Sequence, residues 1–369
     1  MKEQLTDIIK KLVSFPSVSD NLGARVEVLD WVDNWLEENG VTTKRYPSET
    51  APSLIAEVDK GSDKTLLIMA HLDVVPASEE LFEVKADGDI LRGRGVIDNK
   101  GPAAVAMMLL KEAVNDGFQG VNIKAVFTTD EEVGGMEGAG RLISTGEFDN
   151  VSALFVPDGG DKNLIVCKEK GVYQIRIKGL GKSCHGSRPW LGENAIENGF
   201  RAYEKVKKMI EGEKTDDPNH WHPTVNIGRI SAGKAINQVP DEAVLDIDIR
   251  FTEEYDFDKL EKQVKEAIAG KAEFAEVLNS GDILASEPSH PYIQKYKELA
   301  EEVTGESIET GVEHGASDAR FFNRLGIPVW LQYPEGGDHH SESEWVSLSS
   351  LEKMVEVLKK YVVALGELK

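Results

Sequence analysis

The chain has 369 residues, which suggests about two domains at ~150 residues each. Its 42 Lys and Arg stand against 65 Asp and Glu, a formal net charge of −23, so neither a nucleic-acid backbone nor an anionic membrane surface is expected as a partner. Apolar residues make up 40%, yet no run approaches the ~18 needed to span a bilayer, and Cys167 and Cys184 are too few for a disulfide framework.

The opening MKEQLTDIIKKLVSF breaks its apolar residues with charges and lacks a signal-peptide core, so a soluble, cytoplasmic protein is expected. It places Leu5, Ile8, Ile9, Leu12 and Val13 on one helical face. A second helix is expected over 22–38, with Val26, Leu29, Trp35 and Leu36 inward and Gly40 as its stop. Short continuous apolar runs then follow, as buried parallel strands require: 65–70 (TLLIMA), 121–127 (VNIKAVF), 153–156 (ALFV) and 328–331 (PVWL). A helix opened by Gly101-Pro102 separates the first two. The last helix starts near Ser349, with Leu351, Met354, Val355, Leu358 and Val362 on one face. This alternation indicates an α/β domain with a mostly parallel sheet.

The pattern changes between 168 and 285. Residues 172–177 alternate (VYQIRI), a helix is expected near 195–210, and 224–230 and 243–250 alternate again. A helix near 258–269 and a strand near 274–278 complete an order that fits a small α+β sandwich. It is expected as an insertion, with Lys170-Gly171 and Ser286-Glu287-Pro288 as hinges, into a domain made of 1–167 plus 286–369.

Four of the expected strands run into acidic or histidine residues. TLLIMA leads to His71-Leu72-Asp73, and VNIKAVF to Asp130-Glu131-Glu132. ALFV leads to Pro157-Asp158, and PVWL precedes a loop with His339 and His340. Loops beyond the carboxyl ends of parallel strands are where open α/β sheets build their sites. Asp98 joins them from the Gly-rich turn 92–101, just ahead of a helix. His220-Trp221-His222 has metal-like spacing but follows Asp216-Asp217-Pro218-Asn219, a loop composition, and reads as surface. Cys184-His185 lacks an orienting group for a nucleophilic pair, and Gly93-x-Gly95 lacks the rest of a dinucleotide fingerprint.

In this order, His71-Leu72-Asp73-Val74-Val75-Pro76, Gly93-Arg94-Gly95 with Asp98-Asn99-Lys100-Gly101, and Asp130-Glu131-Glu132 resemble the M20 family of metallopeptidases. So do Pro157-Asp158, His185-Gly186-Ser187-Arg188-Pro189 with Gly192-Glu193-Asn194-Ala195, and His340 followed by Glu344. The family also contains aminoacylases and the ArgE/DapE deacylases. The resemblance implies a zinc-exopeptidase-like catalytic domain with a ferredoxin-like lid. It also implies two divalent metal ions: His71 and Asp158 on one, Glu132 and His340 on the other, Asp98 bridging. These nitrogen and oxygen ligands suit Zn²⁺, and Co²⁺ or Mn²⁺ are alternatives. Three carboxylates, two divalent ions and a bridging hydroxide sum to zero charge, which suits a partly desolvated cluster.

Glu131 is then free to act as general base on the bridging water. Asp73 would accept the second imidazole N–H of His71, and Glu344 would support the loop of His340. The resemblance further implies a homodimer through the lid, in which His185 from the partner subunit stabilises the oxyanion. Asn237 and Arg250 match positions that hold the substrate carboxylate or carbonyl, a task a guanidinium performs bidentately. Gly315, in the sequence Gly315–Arg320 (GASDAR), matches a substrate loop. A cis peptide between Asp98 and Asn99 is implied as well. The expected activity is amide hydrolysis in small amino-acid derivatives. Asp158, where deacylases and carboxypeptidases of the family carry Glu, favours a dipeptidase or aminopeptidase; the alternative is an N-acyl-amino-acid deacylase or carboxypeptidase.

Overall fold

The computed structural model describes residues 1–116, 120–212 and 220–368; the stretch 216–219, read above as loop, lies outside them. The described chain forms two compact units. One comprises Met1–Lys168, Ala285–Glu313 and Ser317–Lys369, and the other Glu169–Leu284 with His314–Ala316. Gly315 thus packs with the second unit, whereas the sequence suggests the first. Among the described residues, no helix is long and apolar enough to cross a membrane.

A mixed, nine-stranded sheet forms the centre of the first unit. Thr65–His71 and Asn122–Thr128 are buried along their whole length, which is why they read as continuous apolar runs. Thr65–His71 pairs in parallel with Asn122–Thr128 on one side and Ala153–Val156 on the other. Val329–Leu331 continues the parallel set beyond Ala153–Val156. Ser53–Val58 and Thr42–Tyr46 extend the other edge antiparallel; the sequence reading missed both. Helices Lys2–Val13, Lys100–Asp116 and Leu348–Glu367 pack on one another and share one apolar core with the strands.

Leu22–Glu38 forms as expected, capped where the Asn21 side chain accepts from the Ala24 N–H. Its inward face is Val28, Leu29, Val32 and Leu36, while Val26 is exposed. A small sheet made of Lys85–Asp87, Ile90–Arg92, Trp345–Ser347 and Gly336–Gly337 was also not expected. Its pairing of Trp345 with Arg92 brings two distant parts of the site together.

The second unit has the expected α+β order. Its antiparallel sheet runs Thr224–Ala232, Glu242–Phe251, Gly171–Leu180, Ala272–Gly281. Alternation along the strands turns Ile175, Ile177, Leu245, Ile247 and Ile249 into one core with helices Ala195–Glu211 and Phe257–Ile268. The opposite parity carries ion pairs such as Arg176 with Asp246 and Glu276.

Candidate metal centre

Parallel pairing gathers the first unit's polar residues. His71 lies opposite Thr128 at the carboxyl ends of neighbouring strands, so Asp73 and the Asp130–Glu132 turn emerge side by side. Asp158 leaves the next strand two residues beyond Val156. His340, with a left-handed backbone at φ 60°, reaches the same place from the loop after Val329–Leu331.

His71 Nε2 lies 3.0 Å from Asp98 Oδ1 and 3.8 Å from Asp158 Oδ2. His340 Nε2 lies 3.1 Å from Asp98 Oδ2 and 3.2 Å from Glu132 Oε2. Asp98 therefore offers one carboxylate oxygen to each histidine. Two groups result, His71–Asp98–Asp158 and Asp98–Glu132–His340, each with donor atoms within 4.8 Å of one another. Glu132 Oε1 is buried without a partner among the described residues, an oxygen left over for a ligand. Imidazole nitrogens and carboxylates in two groups that share Asp98 fit a pair of divalent metal ions.

The electrostatics follow from crowding these groups in a buried space. Burial opposes a charge on His71, but the carboxylates of Asp73 and Asp98 outweigh it and hold its pKa well above the ordinary imidazole value. Hydrogen bonds to Asp98 and Glu132 raise His340 to about 10. Burial would raise Asp98, yet its bonds to His340 and His71 hold it well below the usual carboxylate range. Burial lifts Asp158 to about 6. Burial, helped by the nearby Asp158 charge, also pushes Glu131 well above its ordinary value.

The neighbouring carboxylates thus favour the imidazolium form of both histidines in the metal-free chain, whereas a metal takes neutral imidazole. Zinc loading at pH 7 is expected to release a proton from each, and zinc affinity to fall as the pH drops. Calorimetry in two buffers of different ionisation enthalpy measures the release; a heat independent of buffer would contradict it.

The supporting residues differ in detail from expectation. His71 Nδ1 is 3.0 Å from the main-chain carbonyl oxygen of Asp73 and 3.5 Å from its carboxylate. The Asp73 carboxylate accepts from the N–H groups of Glu131 at 3.2 Å and Glu132 at 3.0 Å, so it also fixes the turn that carries both glutamates. Glu344 does not brace the His340 loop. It is fully buried and accepts from Arg94 Nη1 at 2.6 Å, Gly95 N at 3.0 Å and Ile97 N at 3.1 Å, the turn that presents Asp98. The Asp98–Asn99 peptide is cis, and the Asn99 amide donates to the Pro157 carbonyl at 2.6 Å, joining that turn to the Asp158 strand.

Three residues escaped the sequence reading. The Tyr333 hydroxyl donates to Asp158 Oδ1 at 2.5 Å. Lys100 is fully buried, donates to the Phe15 carbonyl at 2.7 Å, and is pushed down to about 7 by burial. Asp318 has both carboxylate oxygens buried without a partner among the described residues, and burial lifts it to about 8. It stands in the Gly315–Arg320 stretch, where the resemblance points to Gly315 alone.

The remaining candidates belong to the second unit. His185 is exposed on the short strand Cys184–His185, paired with Gln238–Val239. The Gly186 N–H donates to the Asn237 carbonyl at 2.7 Å, so His185 and Asn237 sit close together. Arg250 uses its Nε on Asp248 at 3.1 Å and is partly exposed. His220 is exposed, and Trp221 donates to Glu253 at 2.8 Å.

Comparison with known proteins agrees with this architecture. A probable carboxypeptidase of Emericella nidulans is 29% identical, the match covering 96% of this chain and 88% of the relative. A probable succinyl-diaminopimelate desuccinylase of Staphylococcus epidermidis is 26% identical over 86% of each chain. A solved tripeptidase of Staphylococcus aureus shares the fold, with a TM-score of 0.82 at 21% identity over 100% of this chain and 99% of its own. The model of peptidase family M20/M25/M40 matches residues 67–364. The chain is thus a peptidase or amidohydrolase, and it belongs to peptidase family M20/M25/M40.

Proposed function

We propose that this enzyme is a co-catalytic two-metal hydrolase that cleaves the amide bond of a small peptide with a free α-amine. The observation that carries the reading is Asp98, whose two oxygens face His71 and His340 separately. His71, Asp98 and Asp158 would hold one ion, and Asp98, Glu132 and His340 the other. Zinc suits these donors, and cobalt or manganese are accepted alternatives. When bound, the ions supply a lowered water pKa and polarisation of the scissile carbonyl.

The protein's own groups do the rest. Glu131 lies outside both groups of donors, and its raised pKa suits it to take a proton from the attacking water and return it to the departing amine. Asp73 holds Glu131 and Glu132 in place through their N–H groups. Glu344 holds the turn of Asp98. His185 is assigned to oxyanion stabilisation from a second copy in a homodimer, with Asn237, Arg250 and Gly315 on the substrate. Mixing His185→Ala with Glu131→Gln tests this. Mixed dimers hold one site with both residues intact, so activity is expected to return in part; no recovery despite proven subunit exchange would remove the shared site.

The substrate class rests on Asp158. One methylene shorter than Glu, it draws its carboxylate back and leaves room for a free amine near the ions. The similarity to a tripeptidase supports a peptide substrate. The similarity to a desuccinylase and a probable carboxypeptidase favours a second reading, hydrolysis of N-acyl amino acids or of a C-terminal residue. A hydrolysis panel after reconstitution with Zn²⁺, Co²⁺ and Mn²⁺ separates them. Matched dipeptides are expected to turn over faster than N-acetyl or N-succinyl amino acids at equal metal loading, and the reverse order would overturn the choice.

A further inference from the structure

Strand register places Tyr333 against Asp158. Val156 and Leu331 are partners in neighbouring parallel strands, and Asp158 and Tyr333 each lie two residues further on. Two bonds extend that ladder past the strands: Gln332 N–H to the Val156 carbonyl at 3.2 Å and Tyr333 N–H to the Gly159 carbonyl at 2.7 Å. The phenol hydroxyl then donates to Asp158 Oδ1 at 2.5 Å, a length typical of an O–H bonded to an ionised acceptor. This leaves Oδ2 as the oxygen that faces His71 Nε2, at 3.8 Å. The ring itself packs against His339, with centroids 4.8 Å apart.

Glu132 offers a contrast within the same centre. Its Oε2 faces His340 Nε2 at 3.2 Å, and its Oε1 is buried with no partner among the described residues. Among the described residues, no hydroxyl holds it. The orientation of Asp158 therefore depends on an outer hydrogen bond, and that of Glu132 does not.

We infer that Tyr333 is a positioning residue that fixes Asp158 with a single oxygen toward the His71 site, so that metal affinity at that site alone depends on the phenol hydroxyl. The inference rests on the reading of Asp158 as a metal ligand. Outer hydrogen bonds to ligands are worth about 10–100-fold in metal affinity, and a carboxylate free to rotate loses the same advantage.

Zinc titration calorimetry of the metal-free full chain, in wild type, Tyr333→Phe, Asp158→Asn and the double variant, tests it. Phe keeps the ring and its packing on His339, and thermal melting of each metal-free variant reports its fold. Tyr333→Phe is expected to weaken one zinc step by about 10–100-fold and leave the other within about threefold, a change to be expected of one site only. In the double variant the Tyr333→Phe change should add nothing to the Asp158→Asn loss, because both act through one carboxylate. If Asp158→Asn leaves both steps unchanged, the reading of Asp158 as a ligand fails, and the inference with it. If Asp158→Asn weakens one step while Tyr333→Phe alters neither, alters both equally, or adds its full effect in the double variant, the inference alone is overturned.

Discussion

Replacing Glu131 with Gln is expected to lower kcat by about 10²–10⁴-fold while both metal ions stay bound. Glu131 belongs to neither group of candidate ligands, so the amide has no coordination bond to break. Its N–H contact with Asp73 is main chain and survives the change. What is lost is a basic oxygen able to carry a proton between water and leaving group, and a Gln amide cannot replace it. Metal analysis beside the rate decides the matter. A variant that loses an ion would make Glu131 a ligand, and one that keeps both ions and normal turnover would remove it from the chemistry.

Glu344→Ala carries the largest expected effect on stability. Glu344 and Arg94 form an ion pair at 2.6 Å, with side chains 0% and 2% exposed. Removing one member leaves a guanidinium uncompensated inside the protein, which costs about 3–5 kcal/mol. The Gly95 and Ile97 N–H groups lose their acceptor as well. Because that turn presents Asp98, both metal sites should weaken together, which separates this change from Tyr333→Phe. Denaturant unfolding of the metal-free chain measures the first effect and zinc titration the second. Stability within about 0.5 kcal/mol of wild type, the range of an ordinary surface change, would show the pair to be dispensable.

The legible part of this molecule is the part written in continuous apolar runs. Strands buried on both faces must be apolar throughout, so TLLIMA, VNIKAVF, ALFV and PVWL stand out, and the polar residues that follow them mark one edge of a sheet. Alternation in VYQIRI and the later segments marks the second unit for the complementary reason, a sheet with one face in the core and the other carrying ion pairs. Motif order then connects His71, Asp98, Glu132, Asp158 and His340 before any geometry is known, and the structure gathers those five side chains.

What stayed hidden has a physical cause in each case. Lys85–Asp87 is exposed along its length, and its companion strands in the small sheet are only two or three residues long, too short to display an apolar pattern. Its pairing nevertheless decides where Glu344 goes. Asp73 and Glu344 both accept from main-chain N–H groups of turns, and a sequence does not display which turn lies nearby. Tyr333 acts through the register of Val329–Leu331 on Ala153–Val156, a contact 175 residues apart along the chain. In the helix Leu22–Glu38 the apolar residues fit more than one stripe, and packing selects Val28 and Val32 while leaving Val26 outside. Asp318 looked like part of a loop motif; only its burial singles it out.

In the proposed centre one carboxylate, Asp98, joins two metal sites. Anomalous diffraction at the zinc edge, on crystals of zinc-loaded enzyme, tests it most directly. Two peaks per chain are expected, one among His71, Asp98 and Asp158 and one among Asp98, Glu132 and His340, with an oxygen of Asp98 on each ion. A single peak in a fully loaded crystal, or two ions that leave Asp98 or His340 uncoordinated, would contradict it.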